Sequence, residues 1–285
     1  MNILYIIFLP VIAFLGAVFG SFINCTAWRV SRGEDFMHGR SRCPECGHVL
    51  GAKDLVPVFS YLFLKGKCRY CKTKIPARYV AVECVMAAAF TFSALCFGPS
   101  VQAARCMGLA VILTGIALVD LDTYRIPNGF IAAAGIWWGL MWAAETAVRH
   151  ACPSGDPWPA GYKGLIQPAA LYGQYGLRGF LSGLAGGFGI ALMVFLISVL
   201  FDKLTGKESL GGGDIKLFFA AGLFLGFPGG LLDLVLSCVT GLLFAAGIKK
   251  NRIPFGPAIA LATWACMFIG PPVTEWYLKL CNIHI

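Results

Sequence analysis

Two short acidic stretches carry the strongest chemical signal in this 285-residue chain. Asp214 follows Gly211-Gly212-Gly213, where a charged loop gives way to a long apolar run. Asp120-Leu121-Asp122 ends another apolar run, 94 residues before Asp214. An ionisable group at the edge of a membrane helix is costly, so it marks a functional site by default. The glycines strip side chains from the backbone beside Asp214 and let another segment come close. Two carboxylates held together in a poorly hydrated site cannot both ionise easily, and they share a proton. One member then activates a water while the other protonates or polarises a peptide carbonyl. The competing use of such acids is proton-coupled transport, but transporters set theirs near mid-membrane beside broken helices in repeated halves. Here the acids stand at helix ends and no internal repeat is visible. A third reading needs no chemistry: Asp214 caps a helix and the glycines form a turn. Asp122, Gly211, Gly213, Lys216 and Glu83 are the further candidates for contacting substrate or supporting the pair. Glu83, a lone acid just inside an apolar run, either meets substrate or pairs with Arg78 or Lys74.

A second constellation is made of cysteines. Of twelve, Cys43, Cys46, Cys68 and Cys71 form two C-x-x-C pairs in a polar loop. That spacing builds a closed four-thiolate zinc site, which leaves no open coordination position and is therefore structural. The loop is too small to hold a core without such a staple. Disulfides are the alternative, disfavoured if the loop lies in a reducing cytoplasm. Most of the other cysteines lie in apolar runs, where Cys behaves as a small hydrophobe.

The elements that position these groups follow from composition. Hydrophobic residues make up 58% of the chain and charged residues 13%, far from a soluble domain. Apolar stretches predict an all-α, polytopic membrane protein with about eight spans, near 3–27, 79–97, 102–120, 127–146, 177–201, 214–226, 231–248 and 255–278. The first run is too long for a signal-peptide core and reads as a retained helix. The domain reading is a first transmembrane helix (1–27), a small zinc-ribbon-like module (28–78), and a seven-helix membrane domain (79–285) with a periplasmic loop at 147–176. Gly183, Gly186, Gly187 and Gly189 lie inside an apolar helix with no preceding strand, so they predict close helix packing and not a nucleotide loop.

The net charge of +9 sits mostly in one loop, so membrane orientation accounts for it without a nucleic-acid partner. With residues 28–78 inside, the inner segments hold eighteen of the 23 Lys and Arg and the outer segments five. The positive-inside rule then puts both termini in the periplasm. It also puts Asp120 and Asp214 at one depth, on the cytoplasmic face.

Taken together these motifs resemble the bacterial type IV prepilin peptidases, also called leader peptidase/N-methyltransferases, over nearly the whole chain. The likeness is carried by Gly20-Ser21-Phe22 with Asn24, both cysteine pairs, Arg78-Tyr79 with Glu83, and Asp120-Leu121-Asp122 leading to Ile126-Pro127-Asn128. It continues in Gly211-Gly212-Gly213-Asp214-Ile215-Lys216-Leu217 and Ile253-Pro254-Phe255-Gly256-Pro257. The resemblance implies an eight-helix inner-membrane aspartic protease that removes the leader of prepilins and pseudopilins after a glycine. Many members also methylate the new N-terminus with S-adenosylmethionine. The family's catalytic acids fall on Asp120 and Asp214, Asp120 being preferred to Asp122 because it lies six residues before Ile126. No motif here marks a methyl-donor site, so the second activity follows from the resemblance alone.

Overall fold

The computed structural model describes residues 3–35, 39–152, 175–206, 210–247 and 254–280. Most of the predicted 147–176 loop lies outside the described residues, as do Lys163, Lys207, Lys249, Lys250, Arg252 and Ile253. Helix α1 (Ile3–Ser31) leads into a polar module whose described residues include a 3-10 turn (Ala52–Asp54) and the short helix α2 (Phe59–Phe63). Then come α3 (Arg78–Phe97), α4 (Val101–Thr123), α5 (Asn128–Ala151), α6 (Gly176–Thr205), α7 (Gly212–Gly247) and α8 (Gly256–Leu280).

The turns have local causes. Gly98, at φ 64°, ends α3, and its N–H bonds to the Ala94 carbonyl. Ser100 then caps α4 by accepting the Ala103 N–H. Helix α4 ends at Tyr124, in the left-handed region at φ 55°, with its N–H on the Asp120 carbonyl. Pro127 precedes the first residue of α5, where a missing N–H does no harm.

Among the described residues, six helices are long and apolar enough to cross a membrane, and a shorter apolar helix covers Gly256–Gly270. One of the six, α7, has 36 residues, which at 1.5 Å per residue would span about 54 Å, against a hydrocarbon core of about 30 Å. It is two limbs. Gly226, at φ 67° and ψ 180°, interrupts the helix. Along the first limb Gly187 packs against Phe219 and Gly183 against Leu223, whereas along the second Gly189 packs against Phe227 and Ile190 against Gly230. The partners on α6 run down and then up, so the chain reverses at Gly226. The predicted break at 227–230 thus falls one residue earlier. A left-handed residue is needed there, and glycine adopts it without steric cost. With α7 counted as two, eight long helical segments occur among the described residues, as the apolar runs predict.

Small residues set the helix spacing. A Cβ on Gly16 would lie 2.5 Å from the Met86 carbonyl oxygen, and one on Gly20 would lie 2.8 Å from Cα of Glu83. This Gly-x-x-x-Gly face presses α1 onto α3. A Cβ on Gly186 would lie 2.6 Å from the Gly222 carbonyl oxygen, so the predicted glycine packing of α6 is used against α7. The buried core gathers Leu109 and Ile116 from α4, Phe218 and Phe224 from α7, and Ile259 and Met267 from α8. On α6, by contrast, Leu192, Leu196 and Leu200 recur every fourth residue at 58%, 57% and 60% exposure. Such an apolar outer stripe suits hydrocarbon and would be unfavourable in water.

Candidate active site

The two predicted acids meet where the C-terminal end of α4 faces the N-termini of α5, α7 and α8. Asp120 lies in the last turn of α4 and is 5% exposed. Its Oδ2 accepts the backbone N–H of Gly256, the first residue of α8, at 2.9 Å. Asp214 lies in the first turn of α7, half-buried, with its N–H on the Gly211 carbonyl at 3.0 Å. The two carboxylates are close enough for their charges to interact. Helix N-termini carry partial positive charge, so the starts of α7 and α8 offset part of the cost of gathering two acids at a helix end.

The glycines around Asp214 are not equivalent. A Cβ on Gly213 would lie 3.1 Å from Cβ of Ile126, the residue that joins α4 to α5, while one on Gly212 would meet nothing. Gly213 is thus where the predicted close approach occurs. Gly211 borders Oδ2 of Asp214 itself. Lys216 reaches across to Asn128 Oδ1 at 2.9 Å, tying the first turn of α7 to the first residue of α5. It is exposed and bonded to a neutral amide.

Asp122 is differently engaged. Its two oxygens take both guanidinium nitrogens of Arg78, Nη1 to Oδ1 at 2.6 Å and Nη2 to Oδ2 at 2.9 Å. Arg78 is therefore the partner of Asp122 and not of Glu83. Glu83 is buried, its Oε2 accepts the Val58 N–H at 2.7 Å, and the Ser21 hydroxyl bonds it as well. Val58 stands at φ 62°, a strained conformation for a β-branched residue. Glu83 thus anchors the polar module to α1 and α3.

The four cysteines of the module come together, with their sulfurs all within 4.8 Å of one another. Cys43 and Cys71 are 3.9 Å apart. Four sulfurs held tetrahedrally at about 2.3 Å from one zinc would be about 3.8 Å apart. The module is built as two matching knuckles. Cys43 N–H bonds to the His48 carbonyl and Gly47 N–H to the Cys43 carbonyl; likewise Cys68 N–H bonds to Thr73 and Lys72 N–H to Cys68. Single antiparallel bridges close each one, Arg42 with Val49 and Lys67 with Lys74. Despite a lowering hydrogen bond from the His48 backbone, desolvation and the Cys43 and Cys71 sulfurs push Cys46 up to about 11. The Thr73 hydroxyl and N–H hold Cys71 down at about 6. Four thiolates cannot crowd here without a cation, and this donor set fits zinc. Asp54 ties the 3-10 turn to the second knuckle: it accepts Arg69 Nε at 2.5 Å and the Tyr70 hydroxyl at 3.3 Å, and also the Gly51 N–H at 3.1 Å.

Several participants are not singled out by the sequence reading. The signal for Gly256 was present in its Pro-Phe-Gly-Pro setting at a helix start, but only the folded chain brings its N–H to Asp120. Asp233 is fully buried in the second limb of α7, with Thr263 Oγ1 at 3.2 Å from each of its oxygens and Ser237 Oγ at 3.5 Å. It fastens that limb to α8. A lone acid inside an apolar run was the available sign.

This is a helical membrane protein whose fold brings two distant aspartates together at the ends of α4 and α7 and also holds a four-cysteine module, and the chain belongs to the type IV leader peptidase family. Residues 14–97 match the Bacterial Peptidase A24 N-terminal domain and residues 107–246 match the Type IV leader peptidase family. Among its relatives is the prepilin leader peptidase/N-methyltransferase of Aeromonas salmonicida, 30% identical over 252 residues, covering 86% of this chain and 76% of that protein. The Burkholderia pseudomallei protein of the same name is 32% identical, covering 85% and 70%. That of Stutzerimonas stutzeri is 27% identical, covering 94% and 93%. No solved structure matches this chain.

Proposed function

We propose that the protein is an intramembrane aspartic endopeptidase that removes the leader peptides of type IV prepilins and pseudopilins, with Asp120 and Asp214 as its catalytic pair. The observation that carries this reading is that the two carboxylates, 94 residues apart in sequence, come within range of each other's charge where the end of α4 faces the start of α7. One carboxylate, ionised, takes a proton from a water as the water attacks the scissile carbonyl. The other, protonated, hydrogen-bonds the carbonyl oxygen; the proton taken from water then goes to the leaving amine as the C–N bond breaks. The N–H of Gly256 fixes one oxygen of Asp120, and the Ile126–Gly213 contact fixes the approach of α7. Asp122, gripped by Arg78, holds the α4 end in place.

The relatives' shared name supports a second activity, N-methylation of the newly exposed N-terminus, for which S-adenosylmethionine supplies the methyl group. Zinc on Cys43, Cys46, Cys68 and Cys71 serves as a structural cross-link. The Lys and Arg distribution supports insertion in the bacterial inner membrane with the module and both aspartates cytoplasmic and both termini periplasmic. The partners are prepilins and the bilayer, with no nucleic acid.

The test is to incubate the purified protein with a prepilin-like peptide, with and without S-adenosylmethionine, and read masses. Cleavage after the leader's last residue is expected in both, and addition of one methyl group only with the donor. An intact peptide, together with proton movement in sealed vesicles, would favour the transporter.

A further inference from the structure

A cavity of about 790 Å³ lies between the cysteine module and the inner ends of α1 and α3. That volume is in the range of small-molecule sites, about 300–1,000 Å³. Its membrane side is formed by Ser21, Asn24 and the buried carboxylate of Glu83. Rings of Trp28, Tyr61 and Tyr79 also line it. Arg32 borders it, its guanidinium 4.0 Å over the Trp28 ring.

We propose that this cavity, walled by α1, α3 and the cysteine module, is the binding site for S-adenosylmethionine. The proposal rests on the N-methyltransferase reading and gives that reaction a location. The ligand is a zwitterion with a flat base, a sulfonium, an ammonium and a carboxylate, and the lining offers a partner for each kind of group. Aromatic rings suit a purine face and also attract a cation. Glu83 supplies a carboxylate in a poorly hydrated setting, where its attraction for a cation is strong. Arg32, exposed at the border, can pair with a carboxylate in two parallel bonds. A cavity for a lipid tail would be lined by apolar side chains, and this one carries acids and guanidinium groups together.

The position supports the same use. Arg78 lines the cavity and also grips Asp122, two residues from Asp120. The cavity therefore adjoins the candidate cleavage site through this ion pair. The strained Val58, which donates to Glu83, fixes the carboxylate at the boundary between module and membrane helices.

The experiment uses the full-length, zinc-loaded protein in detergent micelles, irradiated with methyl-tritiated S-adenosylmethionine, with the labelled peptides mapped. Label is expected within residues 21–34 or 54–83, and S-adenosylhomocysteine should suppress it. Affinity should fall about tenfold or more in Glu83→Gln, since hydrogen bonds to charged groups carry that much. Arg32→Ala, at an exposed position that leaves folding alone, should weaken binding as well. Label confined to α4, α7 or α8, or unchanged affinity in both variants, overturns the assignment. If a pre-cleaved peptide is still methylated in that case, only the location falls. Absence of both label and methylation removes the methyltransferase reading with it.

Discussion

The backbone N–H of Gly256 donates to Oδ2 of Asp120 across 2.9 Å, joining the first residue of α8 to the last turn of α4 over 136 positions of sequence. Any side chain at 256 would collide with the acid, because a Cβ there would lie 2.6 Å from Oδ2. Gly256→Ala should therefore displace the carboxylate without removing it. A misplacement of about 1 Å can cost on the order of 10²-fold in rate. Cleavage by Gly256→Ala should drop by about that factor while the protein still inserts and elutes as the wild type does. Wild-type turnover would show that this contact does not position the acid.

In the module, Asp54 is held below the usual carboxylate range, first by the Arg69 hydrogen bond and then, against desolvation, by the Gly51 N–H. A carboxyl with a depressed folded value adds stability that is complete above its unfolded value, about 3.9, and is lost as pH falls through the folded value. Module unfolding should therefore grow easier as pH is lowered below about 4, beyond what thiolate protonation causes. Asp54→Asn should flatten that part of the profile, read by tryptophan fluorescence against pH. A profile identical in the two proteins would contradict the role given to Asp54.

Much of this arrangement was legible in residue types, and the limits have physical reasons. The spans showed themselves because lipid demands long apolar runs, and the four cysteines because a closed zinc site demands that spacing. Asp120 and Asp214 could be put at one depth by charge counting. Their approach to within range of each other's charge could not, because it depends on how α4, α7 and α8 cross. Which of the partners open to Glu83 it takes is hidden for a related reason. Arg78 is nearer in sequence, but Glu83 points to Val58 in the module, while one turn of α4 brings Asp122 to the guanidinium. The reversal at Gly226 was displaced by one residue because Pro228 and its glycines marked the region and not the left-handed position.

At the position after the second cysteine of each knuckle the backbone is left-handed, with Gly47 at φ 70° and Lys72 at φ 61°. A side chain in the left-handed region costs about 1–2 kcal/mol, partly offset by the greater chain entropy that glycine loses. Lys72→Gly should stabilise the module by roughly 0.5–1 kcal/mol, seen as a higher chelator concentration for zinc release. Gly47→Ala, which meets no neighbour within 4 Å, should weaken it through φ alone. Equal zinc retention in all three proteins would remove the strain argument.

Orientation is open to direct measurement. Reporter fusions after residue 50 and near residue 206 should read cytoplasmic, and one near residue 160 periplasmic, as the excess of Lys and Arg in alternate segments requires. A periplasmic signal at 206 would separate Asp214 from the face on which the module lies.

The central claim is that Asp120 and Asp214 act as a pair, and substitution at three acids tests it most directly. Asp120→Asn and Asp214→Asn keep the shape of each site but remove the ionisable oxygen. Each should lower cleavage of a prepilin peptide by about 10²–10⁴-fold, the usual loss of an acid–base group. Asp122 is 31% exposed and paired with Arg78, and a pair at that exposure is worth about 0.2–1 kcal/mol. Asp122→Asn should therefore retain most of the activity. Cleavage rates of the three variants, measured on protein shown to be folded, are the decisive quantities. Loss at 120 and 214 with survival at 122 is the predicted result; an inactive Asp122→Asn beside an active Asp120→Asn, or normal cleavage by both Asp120→Asn and Asp214→Asn, would contradict it.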